Sequence, residues 1–98
     1  MRRGTTPTNT FTVDVDLREA TVLYVTYEQD SRTLLEKTLA DATITETSVA
    51  VTLTQEETLA FGKGTVSIQI RAKFVDGAAI ASNIITASVD KILKDGVI

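Results

Sequence analysis

Carboxylates offer the first chemistry to weigh. Asp14, Asp16 and Glu19 form a D-x-D-x-x-E group. Calcium is bound by oxygen ligands, with carboxylates prominent among them. Three acids this close could begin such a site, but the segment offers too few oxygens to complete one. Alternation along a strand would also place Asp14 and Asp16 on a solvent face. Glu56 and Glu57 are a second acidic pair. Paired carboxylates cleave glycosides only when they face each other across a cleft, and neighbours on one helical turn do not. Glu57 has a structural task instead, as the capping-box partner of Thr54. Gly62-Lys63-Gly64 has the composition of a phosphate loop but not its spacing. A Walker-type loop needs a Ser or Thr after the Lys and a following helix; a strand pattern follows here. There is no His and no Cys. The commonest general base, the commonest metal ligand and any thiolate nucleophile are therefore missing. We expect no catalytic residue, no metal and no cofactor, and hence a protein that is not an enzyme.

Binding chemistry has better candidates. Ser67, Gln69, Arg71 and Lys73 line one face of a strand pattern, and Tyr24 or Tyr27 on a neighbouring strand could join them. A polar, cationic and aromatic face suits a glycan or a partner protein. The competing expectation is a solvated face crossed by ion pairs to acids such as Glu36, which contribute little. Thr10 and Thr12 lie in a Thr-rich first strand, and an uncovered edge strand is a template for another chain. Val97 and Ile98 are apolar residues at the end of the sequence, where they either pack back or meet a partner. The candidate partner-binding residues are thus Thr10, Thr12, Tyr24, Arg71, Lys73, Val97 and Ile98. The formal net charge is −3, which argues against a phosphate-binding surface for nucleic acid. Arg2 and Arg3 are the only basic cluster and read as a solvated end. No apolar run is long enough to span a bilayer. The opening Arg-Arg-Gly-Thr-Thr-Pro-Thr lacks the apolar stretch of an export signal. With cysteine absent as well, the expectation is synthesis in a reducing cytosol.

The elements that position these residues follow from patterning. Ninety-eight residues suit one domain with one modest core. Val, Ile and Thr dominate, and they fit pleated strands. Phe11, Val13, Val15 and Leu17 alternate with polar residues, which predicts a first strand entered through Gly4 and Pro7. Residues 20–28 are apolar on both faces and read as a central strand. A polar turn at 29–32 leads to a third strand over 33–39, with Leu35 inward. Thr43-Ile44-Thr45 and the Val49, Val51, Leu53 series predict a hairpin. A helical turn over 55–60, begun by Gln55 and ending at Ala60, should tuck Leu59 inward and close on Phe61. Residues 65–75 form the clearest strand, with Val66, Ile68, Ile70, Ala72 and Phe74 on its inner face. Asp76-Gly77 signals a hairpin in which both positions take positive φ. The return over 79–89 slips phase at Ile84-Ile85, which predicts a bulge or a switch of facing. About seven short strands with no crossover helices predict an all-β, antiparallel, immunoglobulin-like sandwich. A small closed barrel is the alternative.

The opening also carries a resemblance. Gly4, Thr6, Pro7, Thr8 and Phe11, within RGTTPTNTFTV, resemble the start of a family of small structural proteins from tailed phages and prophages of Gram-positive bacteria. They are similar, too, to the opening of the N-terminal domain of phage baseplate upper proteins. The segments LTQEETLAF (53–61) and IQIRAKFVDG (68–77), followed by Ala81-Ser82, extend the likeness to the small family. The resemblance implies a tail- or virion-associated assembly role through protein–protein contacts, without catalytic residues, in a protein made in the bacterial cytoplasm.

Overall fold

In the computed structural model, which describes residues 1–98, the alternating segments become two antiparallel sheets. In chain order the elements are β1 (Thr8–Thr12), β2 (Ala20–Gln29), β3 (Arg32–Thr38), a 3₁₀ turn (Leu39–Asp41), β4 (Ala42–Ile44), β5 (Ser48–Thr52), α1 (Gln55–Leu59), β6 (Gly64–Phe74), β7 (Ala79–Ala81) and β8 (Ile85–Val89). One sheet runs β1-β5-β4. The other runs β3-β2-β6, with β7 and β8 both on the far edge of β6. A single core lies between them. Phe11, Val49, Val51 and Leu53 meet Leu23, Val25, Tyr27, Val66, Ile68, Ile70 and Ala72, with Leu17, Phe61 and Val89 also in the cluster. Each such aliphatic or aromatic side chain contributes about 1.5–3 kcal/mol when fully buried. The expectation of a two-sheet, mostly-β domain with one short helical turn is met.

Several local expectations are corrected. β1 ends at Thr12 rather than running on to Leu17. The Val13 N–H still reaches the Thr47 carbonyl at 2.8 Å, but β5 begins only at Ser48. Residues beyond Val13 therefore find no neighbouring strand, and alternation without a neighbour makes no ladder. Val15 turns out to solvent at 42% exposure, while Leu17 returns to the core. The Asp76-Gly77 turn takes positive φ only at Gly77. The bond from Phe74 N–H to the Ala78 carbonyl closes a three-residue loop, and Gly77 N–H donates to the Phe74 carbonyl. The two-residue turn with positive φ at both positions lies elsewhere, at Asp30 (φ 53) and Ser31 (φ 63) between β2 and β3. That is the hairpin geometry whose twist matches the strands.

The phase slip in the last strand is real. Ile80 pairs with Ala72, whereas Ile85 and Ala87 pair with Ile68 and Val66. Inward residues change from even to odd numbers, so one extra residue is inserted. Ser82 fills the break: its N–H donates to the Ile70 carbonyl, and its Oγ accepts from the Ile70 N–H at 3.0 Å.

The helical turn forms through the expected box. The Thr54 N–H donates to Glu57 Oε1 at 2.8 Å, and the Glu57 N–H donates to Thr54 Oγ1 at 3.2 Å. Its buried residue is Thr58, not Leu59. The Thr58 hydroxyl donates to the Thr5 carbonyl at 2.9 Å and accepts from the Thr5 N–H at 3.1 Å. The neighbour at this position is the backbone of the incoming N-terminal segment, which a hydroxyl satisfies and a leucine could not. Thr58→Val keeps the shape but leaves both Thr5 groups unpaired. We expect a loss of about 1–3 kcal/mol in urea unfolding. A cost no larger than that of an exposed Thr→Val control would refute the pairing.

Candidate protein-binding edge and cleft

Three surfaces collect the candidate residues. The first is the outer face of the larger sheet. Tyr24 stands opposite Arg71 across β2 and β6, and Val22 stands opposite Lys73. Tyr24 is 41% exposed. No acid pairs with Arg71 or Lys73, since the ion pairs are Arg3–Asp95, Arg18–Asp16 and Lys37–Glu57. Glu36 instead accepts weakly from the Thr26 hydroxyl at 3.4 Å. The expected ion-pair lattice is therefore absent. Tyr27 does not join this face. It is fully buried, its ring centroid 5.8 Å from that of Phe61. Its hydroxyl accepts from Asn9 Nδ2 at 2.7 Å. Burial pushes the Tyr27 phenol up, against the opposing pull of that hydrogen bond. The hollows on the outer face hold only about 120 and 150 Å³, below the roughly 300–1,000 Å³ of small-molecule sites.

The second surface is the free edge of β1. β5 is the only strand paired with β1. In an antiparallel ladder, alternate residues bond to the partner and the rest point away. Val13 N–H bonds Thr47, and Leu53 N–H bonds the Pro7 carbonyl. The odd-numbered residues thus face β5, which leaves the N–H and C=O groups of Thr8, Thr10 and Thr12 on the open side. Other edges are protected. β4 is three residues long. β3 turns Lys37 inward to Glu57 at 2.8 Å, and an inward charge is a known guard against edge pairing. The β7–β8 edge is interrupted by its bulge and is met at one end by the first residues. There Arg2 and Asp90 form a parallel bridge, and Asp90 N–H donates to the Met1 carbonyl at 2.9 Å.

At the Thr12 end of the β1 edge opens the largest cavity, about 600 Å³. Val13, Val15, Leu17, Ile70, Ile80 and Ile85 supply its apolar lining, with Asp14 as its one charged residue. It lies where the segment after β1 parts from the β7–β8 edge. Nothing in its position follows from alternation; a reader of the sequence would have needed to know that β1 stops at Thr12.

The third surface is the tail. Val97 is 55% exposed, Ile98 88% and Leu93 94%. The tail is held at three points: Arg2 Nη1 donates to the Lys91 carbonyl at 2.8 Å, Arg3 meets Asp95 at 3.6 Å, and the Ile98 backbone is clasped by one side-chain amide. Ile98 N–H donates to Gln55 Oε1 at 2.9 Å, and Gln55 Nε2 donates to the Ile98 carbonyl at 3.2 Å.

The carboxylate candidates resolve differently. Asp14, Asp16 and Glu19 do not converge as a ligand set. Asp16 is engaged by Arg18 at 2.6 Å, whose hydrogen bonds hold its carboxyl below the usual range. Glu57 serves as cap and ion-pair partner. Gly62-Lys63-Gly64 links α1 to β6, and both backbone groups of Gly62 are taken by the Gln29 side chain at 2.7 Å. No helix is long and apolar enough to cross a membrane. No protein-family model matches the chain, and no curated protein or solved structure matches it.

Proposed function

We propose that the chain is a non-enzymatic assembly module of the tailed-phage or prophage type, made in the bacterial cytoplasm, that joins protein partners by accepting a strand at the β1 edge. The observation that carries this reading is the unpaired edge of Thr8, Thr10 and Thr12, which leads at Thr12 into an apolar cleft. Strand addition uses such pairs of features: backbone bonds give affinity, and pockets for alternate side chains give specificity. The strand order supports an immunoglobulin-like plan. In that fold one sheet runs A-B-E-D and the other contains C-F-G. The order β1-β5-β4 matches B-E-D, and β3-β2-β6-β8 matches C′-C-F-G. The place that strand A would fill beside B is the open edge of β1. The likeness of the opening residues to small phage structural proteins points to the same kind of role.

Size-exclusion chromatography with light scattering tests the reading, on the chain alone and mixed with products of neighbouring genes. We expect self-association or co-elution that Thr10→Pro and Val15→Asp abolish. The Thr10 N–H faces away from β5, so proline there removes no ladder bond. Tyr24→Ala and Arg71→Ala should change nothing. A strict monomer that also ignores those proteins overturns the proposal. Loss only with Tyr24→Ala and Arg71→Ala would instead move the contact to the outer face and favour the carbohydrate-binding reading, for which a glycan array is the measurement.

A further inference from the structure

The cleft and the tail are complementary parts of one chain that do not meet within it. The cleft is apolar, with Asp14 on its rim, and Glu19 lies in the same loop without an ion-pair partner. The tail carries three exposed aliphatic side chains, Leu93, Val97 and Ile98. Between and before them stand Lys91 and Lys94, neither in an ion pair. Apolar surface therefore matches in kind, and the two lysines, set against the single Asp95 of the segment, match the acids of the cleft in sign. The tail's own anchorage is polar except at the half-buried Ile92: the Gln55 clasp, a hydrogen bond from Arg2 Nη1 to the Lys91 carbonyl at 2.8 Å, and a 3.6 Å contact from Arg3 to Asp95. Releasing it frees the half-buried Ile92 and otherwise exposes little, since residues 93–98 are already exposed.

Position decides which copy the tail serves. Val89 pairs with Gly64 at the start of β6, and the tail continues from there to Gln55. The cleft lies beyond Ile70 on the same strand, about 20 Å further along at strand rise. The domain is elongated, 47 Å along its main axis. Donor and acceptor thus sit towards opposite ends of it.

We propose that the occupant of the cleft is segment 91–98 of a second copy, laid along the free edge of β1 with Leu93 and Val97, which share one face of an extended strand, entering the cleft and Ile98 covering its flank. This rests on the reading of that edge as a strand acceptor. The contact is heterologous, so it propagates head to tail into rings or filaments rather than stopping at a two-fold dimer.

Sedimentation velocity over a concentration series is the test. The wild-type mass average should rise with concentration beyond the dimer. Val97→Asp/Ile98→Asp on the tail, or Val15→Asp in the cleft, should each weaken association by about tenfold or more. All three positions are exposed, so the fold survives, as an unchanged circular dichroism spectrum would verify. Mixed together, the tail variant and the cleft variant should form a one-to-one dimer that grows no further. A synthetic peptide of residues 91–98 added to the tail variant should shift the amide resonances of Thr10 and Thr12. Association that survives the tail substitutions, or a monomeric wild type with no peptide-induced shifts, overturns the second-copy proposal. In the monomeric case, co-elution with a neighbouring gene product that Thr10→Pro abolishes leaves the strand-acceptor reading standing. Association insensitive to both Thr10→Pro and Val15→Asp removes both readings.

Discussion

Glu57→Ala is expected to destabilise the domain by about 2–3 kcal/mol, well beyond the effect of an ordinary surface truncation. One carboxylate oxygen, Oε1, accepts from the Thr54 N–H and from Lys37 Nζ, each at 2.8 Å. Both side chains are mostly covered, at 11% exposure for Lys37 and 23% for Glu57. Alanine leaves an inward ammonium without its partner and an unsatisfied N–H at the head of α1. Glu57→Gln should lose less, because the amide oxygen can still cap Thr54. Lys37→Met should also destabilise the monomer, because it leaves the mostly covered Glu57 carboxylate without its counter-charge; only replacing both partners together, as in Lys37→Met/Glu57→Gln, should come close to neutral. Lys37→Met has a second expected effect. With no inward charge, β3 becomes a flat open edge, and aggregation on heating should increase. Equal destabilisation by Glu57→Gln and Glu57→Ala in urea melts would show that the cap is not made by Oε1.

The same pair sets an acid limb. Burial alone would raise the Glu57 pKa, but the Lys37 ammonium and the Thr54 N–H outweigh it and hold the carboxyl below its usual 4.5. The folded pKa lies under the unfolded one, so this stabilisation is fully present above about 4.5. It is lost as pH falls through the folded value. Asp41, held low by Thr38, adds a contribution of the same sign below 3.8. Stability should be flat towards neutrality and fall in that acid range. Glu57→Gln should flatten the upper part of the fall.

What patterning could and could not reveal turns on neighbours. β6 was legible because its alternation is complete and both its edges are paired. The capping box at Thr54 was legible because it is a local exchange between residues three apart. The end of β1 was not, because it is decided by where β5 begins. Lys37 shares the inward face of Leu35 in the strand's alternation, but that a lysine could be kept there depends on the approach of Glu57 on α1, which has no local signal. The turn at Asp30-Ser31 carries no glycine to announce its positive φ. The candidate surface divides on the same line. Thr10 and Thr12 could be marked as edge residues from composition. The cleft beside them depends on three segments remote in sequence, around Val15, Ile70 and Ile80, and had no local signal.

Phe61→Ala should be the most damaging single truncation, near the top of the roughly 3–5 kcal/mol range for a buried phenylalanine. The spread of that range reflects how far a site collapses around the lost ring. Collapse is hindered here, because the backbone is pinned on both sides of residue 61. Arg3 donates to the Phe61 carbonyl at 2.6 Å and to the Leu59 carbonyl at 3.0 Å. The Gln29 amide grips Gly62 through both its backbone groups. Opposite lies Tyr27, whose hydroxyl is fixed by Asn9, so the neighbouring ring cannot swing into the void without breaking a buried hydrogen bond. A domain of this size has a total stability of about 5–15 kcal/mol, so the substitution removes a large share of it. The pinning argument makes a sharper demand than the size of the loss. In a Gln29→Ala background Gly62 is released, the cavity can partly close, and Phe61→Ala should cost measurably less. Additivity of the two substitutions in guanidinium unfolding would mean that the Gln29 grip does not keep the cavity open.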